Sequence, residues 1–480
     1  MSRTQLLGAA SAAVLASFTG FAHAASVMNG GGSTLAQYDY IAEFSAFNAA
    51  STGATFGSYW EAGSGSGQNG FLYDDLSCDI NKVSGTNSGF CTGSTGSGPG
   101  TTGGQPGNTT VYGASDATLS NGLAPNPSSN QIAFWNSYTF GQALSGGLIQ
   151  LPSMGVGISF PVQNANVVNN GDLSLSDHDL CEIFSGGYTD FSQITDAVSL
   201  TGAKGSYAPG AFKVVYRTDG SGTTFITTDH LAAVCKPGTD TPAGFTFAAT
   251  TTFATLFTAA NGGGSNSGGV VTSGLPGADG GKGSSGVAAN LTAAAQAIGY
   301  LSPDFTTVDP HSFAPQTGLV VASVLQNKTP ELPTVAAVTT GLSHAAAGYG
   351  YYTTPPSTAA QGANPANFVP LIAKNTAGYP VVGYTTFDFA QCYADPTITA
   401  GVISFLQAHY TKGTTEQTDQ NDNGFVLVAN SGASKFLAAI NKHILTNGKD
   451  ASGAVWNVNF GNTTLCDANA KGGKGTYIGR

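Results

Sequence analysis

Val214-Val215-Tyr216-Arg217-Thr218-Asp219-Gly220-Ser221-Gly222-Thr223-Thr224 carries the reading of the whole chain. Its β-branched start predicts a strand that ends at Arg217. Gly220 and Gly222 make a turn, and Phe225 to Val234, without Pro or Gly, reads as a helix. Strand, Gly-rich turn and helix N-terminus make a place to hold an anion. First-turn N–H groups have no carbonyl partner there, and the helix dipole favours negative charge. Arg217 adds a planar fork that can grip a tetrahedral oxyanion with two hydrogen bonds, and Asp219 stands two residues on to hold that fork. A lone Ser-Gly-Thr turn is common, and a single arginine is most often a surface residue, so support must come from elsewhere in the chain.

At 480 residues the chain can bury a large core and should divide into about two or three domains. Only 9% of it is charged, so Gly, Ser, Thr and Asn must make the surface polar, as suits an exported protein. Met1-Ser2-Arg3-Thr4, an apolar run from Leu6 to Phe21 and Ala22-His23-Ala24 form a secretory signal peptide over 1–24. No other run is long and apolar enough to predict membrane insertion. The leader holds Arg3 and no acid, so the mature chain keeps 15 of the 16 basic residues against all 27 acidic ones, a net charge of −12. That balance argues against a nucleic-acid partner, which needs a basic face. It leaves room for a small anion, because local dipoles can outweigh net charge inside a cleft. The six cysteines (Cys78, Cys91, Cys181, Cys235, Cys392 and Cys466) point to three disulfides with fifteen pairings open. Without a C-x-x-C, zinc is a poor competitor, and no metal or cofactor is expected.

Other Gly-rich turns repeat the theme. Asn29-Gly30-Gly31-Gly32-Ser33-Thr34-Leu35 opens the mature protein, with Ser33 or Thr34 expected at a helix N-terminus and Leu35, Tyr38, Ile41 and Phe44 on one apolar face. Glu61-Ala62-Gly63-Ser64-Gly65-Ser66-Gly67 reads as a flexible hydroxyl-bearing turn. Asp116 follows a short apolar strand and a Gly-Ala turn, where a helix-capping role is the plain alternative. Two stretches, 84–110 and 261–286, are so rich in Gly that they read as surface loops, the first stapled at its base by Cys78 and Cys91. Gly147 to Val162 and Tyr379 to Phe389 are uncharged or nearly so and β-prone, as buried strands or inter-lobe connections would be. Ser176 to Asp179 has capping-box form. There is no G-x-S-x-G, H-E-x-x-H or Walker A sequence, and the histidines are scattered.

Taken in order, the turns at Ser33, Ser64, Asp116 and Arg217 resemble those of the DING proteins, exported relatives of the phosphate-binding subunit of bacterial phosphate importers. Leu180-Cys181-Glu182-Ile183-Phe184-Ser185-Gly186, Tyr300-Leu301-Ser302-Pro303-Asp304-Phe305 and Phe389-Ala390-Gln391-Cys392-Tyr393 extend the likeness over most of Asn29 to Asp467. The chain departs from the pattern at Val27-Met28, where the family has Asp-Ile, and at Ala36, where it usually has Pro. Asp219 stands where DING proteins commonly have Glu and looks like the importer subunits.

The resemblance implies an α/β Venus-flytrap of the type II periplasmic binding class, with two lobes, two crossover strands and a central cleft. Lobe I would comprise 25–158 plus 383–480, with the loop 84–110, and lobe II 159–382, with the loop 261–286. It implies the pairs Cys181–Cys235 and Cys392–Cys466, leaving Cys78 with Cys91. It carries a phosphate shell onto Thr34, Leu35, Ser64, Asp116, Arg217, Ser221, Gly222 and Thr223, supported by Ser33 and Asp219. All but Asp116 can donate hydrogen bonds. Inorganic phosphate would be the ligand of a monomer that is periplasmic or secreted, with an ABC permease or secretion machinery as the partner class. A secreted phosphatase ranks second: Ser33, Thr34 and Ser64 are nucleophile candidates, but no base stands beside them in the sequence. A surface adhesin, to which the Gly/Thr-rich loops point, ranks third.

Overall fold

The computed structural model describes residues 26–73, 110–120, 130–137, 141–194, 200, 207–308, 318–351 and 354–466. The expected signal peptide, Cys78, Cys91 and loop positions 84–109 lie outside these residues.

Two mixed sheets with flanking helices form the two lobes. The first runs Val426–Leu427, Leu148–Gly157, Val382–Ala390, Tyr112–Ser115, Gly30–Gly32, Trp60–Glu61 in spatial order. The second runs Ala278–Gly281, Lys213–Arg217, Ala297–Gly299, Phe160–Gln163, Val321–Gln326, Thr329–Glu331, with Ser174–Leu175 paired beside Val321–Gln326. The two apolar runs lie together at the centre of the first sheet, antiparallel from Leu148 opposite Ala390 to Gly157 opposite Val382. Every position of both strands is buried, which explains a hydrophobic run in place of alternation. Their register slips between Tyr384 and Thr386, opposite Pro152. Proline has no N–H for the ladder, and Thr385 Oγ1 instead accepts the Met154 N–H (3.1 Å). Past Gly157 the chain continues into Phe160–Gln163 of the second sheet, so the first run does cross between lobes. Tyr379 binds the junction, its hydroxyl donating to Ile158 O at 2.5 Å. Helix Val335–Ser343 rests on the first sheet, with Val338 and Leu342 against Gly157 and Gly155.

The Phe225 to Val234 helix begins three residues earlier, at Gly222, with Ser221 as its N-cap. Ser176 caps helix Asp177–Ser185 in a full capping box. The disulfides Cys181–Cys235 and Cys392–Cys466 are both formed.

Three expectations need correction. Residues 261–286 are not one loop: they hold the hairpin Ser265–Ser267/Val270–Ser273, the edge strand Ala278–Gly281 and the start of helix Gly283–Ala293. Parallel pairing to Lys213–Arg217 orders this Gly-rich segment, an effect composition alone does not reveal. Ser64 opens helix Ser64–Tyr73 and does not sit in a flexible turn. Its glycines let the helix approach closely: a Cβ on Gly67 would stand 2.5 Å from Gly32 Cα. The first helix, Gln37–Ala50, starts after Leu35 and buries Tyr40, Phe44 and Phe47, while Ile41 is 41% exposed.

The buried face of this helix includes Glu43. It lies fully buried on the inner side, bound to His409 Nδ1 (2.9 Å) and accepting from Gln420 Nε2 (2.7 Å). His409 Nε2 in turn meets Ser153 Oγ (3.0 Å). Serine, histidine and carboxylate stand in the order of a hydrolytic triad, but all three are sealed in the core, where they tie two helices to the crossover strand.

Asp388, on the central strand, is a core carboxyl pushed up to about 7 by burial, with Gln150 Nε2 donating to Oδ1 (2.7 Å) in partial opposition. The folded state therefore keeps a proton that the unfolded chain loses near pH 4, and stability falls as pH rises from about 4 to 7. Asp388→Asn should flatten part of that fall and raise stability at pH 8 by about 1–3 kcal/mol. Urea unfolding at pH 5 and pH 8 checks this; an equal pH slope in both proteins contradicts it.

Candidate anion site

Five strands end at one place, and each is followed by a turn that delivers a polar group. Gly30–Gly32 leads to Ser33 and Thr34, Trp60–Glu61 to Ser64, and Tyr112–Ser115 to Asp116. From the second sheet, Lys213–Arg217 leads to Asp219, Ser221 and Thr223, and Ala278–Gly281 leads to Gly283 and Ser284. Sites at the carboxyl ends of strands are the rule for open α/β sheets. All ten residues expected from the sequence lie here and are buried, Thr34 being the most open of the side chains at 6%.

Arg217 is fully inside the cluster. Its Nε donates to Asp219 Oδ1 at 2.7 Å, its Nη2 donates to Asp219 Oδ2, and its Nη1 reaches Thr223 Oγ1 at 3.4 Å. Asp219 also accepts the Gly283 N–H (3.0 Å). The Arg217 charge and that hydrogen bond hold the Asp219 carboxyl below its ordinary range despite burial. The pair is thus locked in its ionised form, and the outer Nη1 and Nη2 hydrogens stay available to a tetrahedral oxyanion. Ser221 Oγ accepts the Thr224 N–H (3.1 Å), which leaves its own hydrogen to donate. The N–H groups of Gly222 and Thr223 have no carbonyl partner within their helix.

Asp116 sits opposite, 3% exposed. Ser33 Oγ donates to its Oδ1 (2.5 Å) and Ser64 Oγ to its Oδ2 (3.0 Å). Burial pushes the carboxyl up to about 6, and these two hydrogen bonds and Arg217 restrain the rise. Ser33 Oγ also accepts from Leu35 N (3.1 Å) and Ala36 N (3.3 Å), so Ser33 closes the turn ahead of helix Gln37–Ala50. The sequence had placed no base beside Ser33 or Ser64; the fold brings Asp116 to both, from 83 and 52 residues away.

The lobes meet directly around this cluster. Gly65 N donates to Gly220 O at 2.9 Å. A Cβ on Gly222 would stand 2.4 Å from Asp116 Cβ, so only glycine lets the Arg217 turn close over the carboxyl. Gly63, at φ +91°, presses likewise on Asp219. Gly283 and Ser284 went unrecognised because they fall in the segment read as a loop. Ser284 N donates to Thr34 Oγ1 (3.2 Å) and the two hydroxyls are 3.3 Å apart, a bond from one lobe to the other. Lys282-Gly283-Ser284 after a short strand was the available signal of a further helix start. Among the described residues, no group of three or more His, Cys, Asp and Glu is arranged to hold a metal ion, and no helix is long and apolar enough to cross a membrane.

Residues 22–369 match the family model described as the PBP superfamily domain. Alkaline phosphatase L of Pseudomonas aeruginosa PAO1 is 30% identical over 415 residues, 86% of each chain. A phosphate-binding protein from an unknown prokaryotic organism is 32% identical over 348 residues, 68% of this chain and 78% of its own. Among solved structures, the high-affinity periplasmic phosphate-binding protein PfluDING, bound with phosphate at pH 8.5, has a TM-score of 0.64 and 28% identity, covering 94% of this chain and 99% of its own. A DING protein crystal structure is similar at a TM-score of 0.63 and 27% identity, covering 92% and 98%.

Proposed function

The chain belongs to the PBP superfamily, and we propose that it is an exported high-affinity phosphate-binding protein that encloses inorganic phosphate between its lobes for uptake or scavenging. The observation that carries this reading is the convergence of an ionised, forked arginine, hydroxyl donors and a buried carboxylate at the ends of five strands. Thr34, Ser221 and Thr223 would donate from hydroxyls, Gly222 from its main-chain N–H, and Leu35 from its N–H once that turns from Ser33 Oγ. Ser64 would donate once its proton turns from Asp116. Arg217, positioned by Asp219, would supply the charge, and Asp116, positioned by Ser33, would accept the proton that phosphate keeps near neutral pH. Phosphate binding by PfluDING and by the 32% identical relative supports the ligand.

We assign the lobes as 25–158 plus 383–480 and 159–382, with helix Val335–Ser343 resting across onto the first sheet. Two disulfides fit an oxidising compartment and hence export. Periplasm or extracellular medium, a monomeric state and delivery to an ABC permease are parts of the proposal. Purified protein, denatured and assayed for released orthophosphate, should yield about one phosphate per chain after expression in phosphate-rich medium. No release, followed by no uptake of added phosphate, contradicts the reading.

A secreted phosphatase is the second reading, favoured by the name of the Pseudomonas relatives and by Asp116 standing beside two serines. Phosphate held here also resembles part of a phosphoryl transition state. Turnover of p-nitrophenyl phosphate that disappears in Arg217→Ala would establish it. The burial of the site residues leads us to expect no such turnover, because the organic group of an ester would have to be housed among them.

A further inference from the structure

Resting on the phosphate-binding reading, we propose that Tyr300 is a positioning residue of the anion site. It touches none of the expected ligand atoms but fixes the two elements that carry them. Tyr300 follows Ala297–Gly299, the strand parallel to Lys213–Arg217. Its hydroxyl accepts the main-chain N–H of Arg217 (3.0 Å) and meets Thr224 Oγ1 at 2.8 Å.

Those two contacts span the turn. Arg217 is the last residue of its strand, and Thr224 lies in the first turn of helix Gly222–Val234. Between them run Asp219, Ser221, Gly222 and Thr223, four of the ten expected site residues. Thr224 N–H is already bound to the Ser221 cap, and the Thr224 side chain gives the turn a further handle beside Thr223 Oγ1, which meets Arg217 Nη1 (3.4 Å). One phenolic oxygen therefore ties the end of the strand that carries the guanidinium to the helix N-terminus, beside the long Arg217 Nη1–Thr223 Oγ1 contact. The side chain is fully buried and its ring is held by Phe184 (5.7 Å) and Phe253 (5.9 Å), so the oxygen has little freedom to drift. Burial also pushes the phenol well up, which keeps it neutral and able both to accept and to donate.

Tyr216 provides an internal comparison. It is equally buried, packs on the same Phe253 (5.2 Å), and its hydroxyl accepts one main-chain N–H, that of Val271 (2.8 Å). Val271 belongs to the hairpin, which carries no site residue. Tyr300→Phe and Tyr216→Phe thus remove the same atom and leave the same kind of unpaired N–H, one at the anion site and one away from it, while Tyr300→Phe also takes the partner from the Thr224 hydroxyl.

The test measures phosphate affinity and thermal midpoint for the parent, both variants and Thr224→Val. We expect Tyr300→Phe to weaken phosphate binding about tenfold, mainly through faster release. Tyr216→Phe should stay within about twofold of the parent in affinity while losing a similar amount of thermal stability. Thr224→Val should weaken binding by less, and combining it with Tyr300→Phe should add little, because both break one bridge. Parental affinity in Tyr300→Phe, equal weakening by Tyr216→Phe, or full additivity with Thr224→Val would each overturn the proposal. Should Tyr300→Phe not fold, parental affinity in Thr224→Val would still overturn it. A parent that binds no phosphate fails the underlying reading and takes this inference with it.

Discussion

Arg217→Ala is expected to lower phosphate affinity at least about a thousandfold, the equivalent of about 4 kcal/mol. Among the described residues Arg217 is the only buried cationic side chain of the site, and Asp219 holds its inner edge, which leaves the outer fork for an anion. Removing it takes away two charge-assisted hydrogen bonds. It also leaves Asp219 ionised and buried without its partner, a repulsive charge next to the ligand. The protein should be destabilised as well, so loss of binding in this variant alone would be ambiguous. Arg217→Lys resolves that: it keeps the charge but cannot grip Asp219 and an oxyanion in one plane. It should fold close to the parental midpoint and still lose at least about a hundredfold in affinity. Parental binding by Arg217→Lys, read by competition against labelled phosphate, would show that the fork is not what holds the anion.

Asp116→Asn should alter selectivity more than affinity. A buried carboxylate accepts a hydrogen bond from an anion that still carries a proton, as phosphate does near neutral pH. Sulfate carries none, so its oxygens would face the Asp116 oxygens with nothing between them. Such a mismatch in a buried site discriminates strongly. Asparagine offers an N–H to the same place and should admit sulfate, cutting the phosphate-to-sulfate preference at least about tenfold. The parent should behave in the same way as pH falls. With the Asp116 carboxyl pushed up to about 6, it is ionised and acceptor-only above that pH, and below it becomes an acid that can donate. Sulfate exclusion should therefore be strongest at pH 8 and weaken toward pH 5, with no such trend in Asp116→Asn. Equal preference in parent and variant at pH 8 would remove Asp116 from the specificity mechanism.

The sequence revealed the site more fully than the framework around it. Hydroxyl-bearing Gly turns behind short strands are local patterns, and the anion chemistry of each can be reasoned from a few residues. Their convergence could not be read locally; it came from the order of the motifs and their resemblance to a family. Asp116 shows the limit. Its distance from Ser33 and Ser64 is set by the pairing of Tyr112–Ser115 beside Gly30–Gly32, a long-range register that no spacing rule supplies. Glu43 shows another: it lies on the buried face of the first helix because His409 and Gln420, more than 360 residues away, hydrogen-bond its carboxylate in the core. Gly283 and Ser284 follow a Gly-rich stretch whose composition resembles a loop, while pairing with Lys213–Arg217 makes Ala278–Gly281 a strand and aims them at the site. Glycine there serves close packing and does not signal disorder.

The most direct test of the central claim is calorimetric titration of phosphate-stripped mature protein at pH 8, first with phosphate and then with sulfate. The account predicts tight one-to-one phosphate binding and no measurable heat from sulfate. Absence of phosphate binding, or equal binding of the two anions, would contradict it.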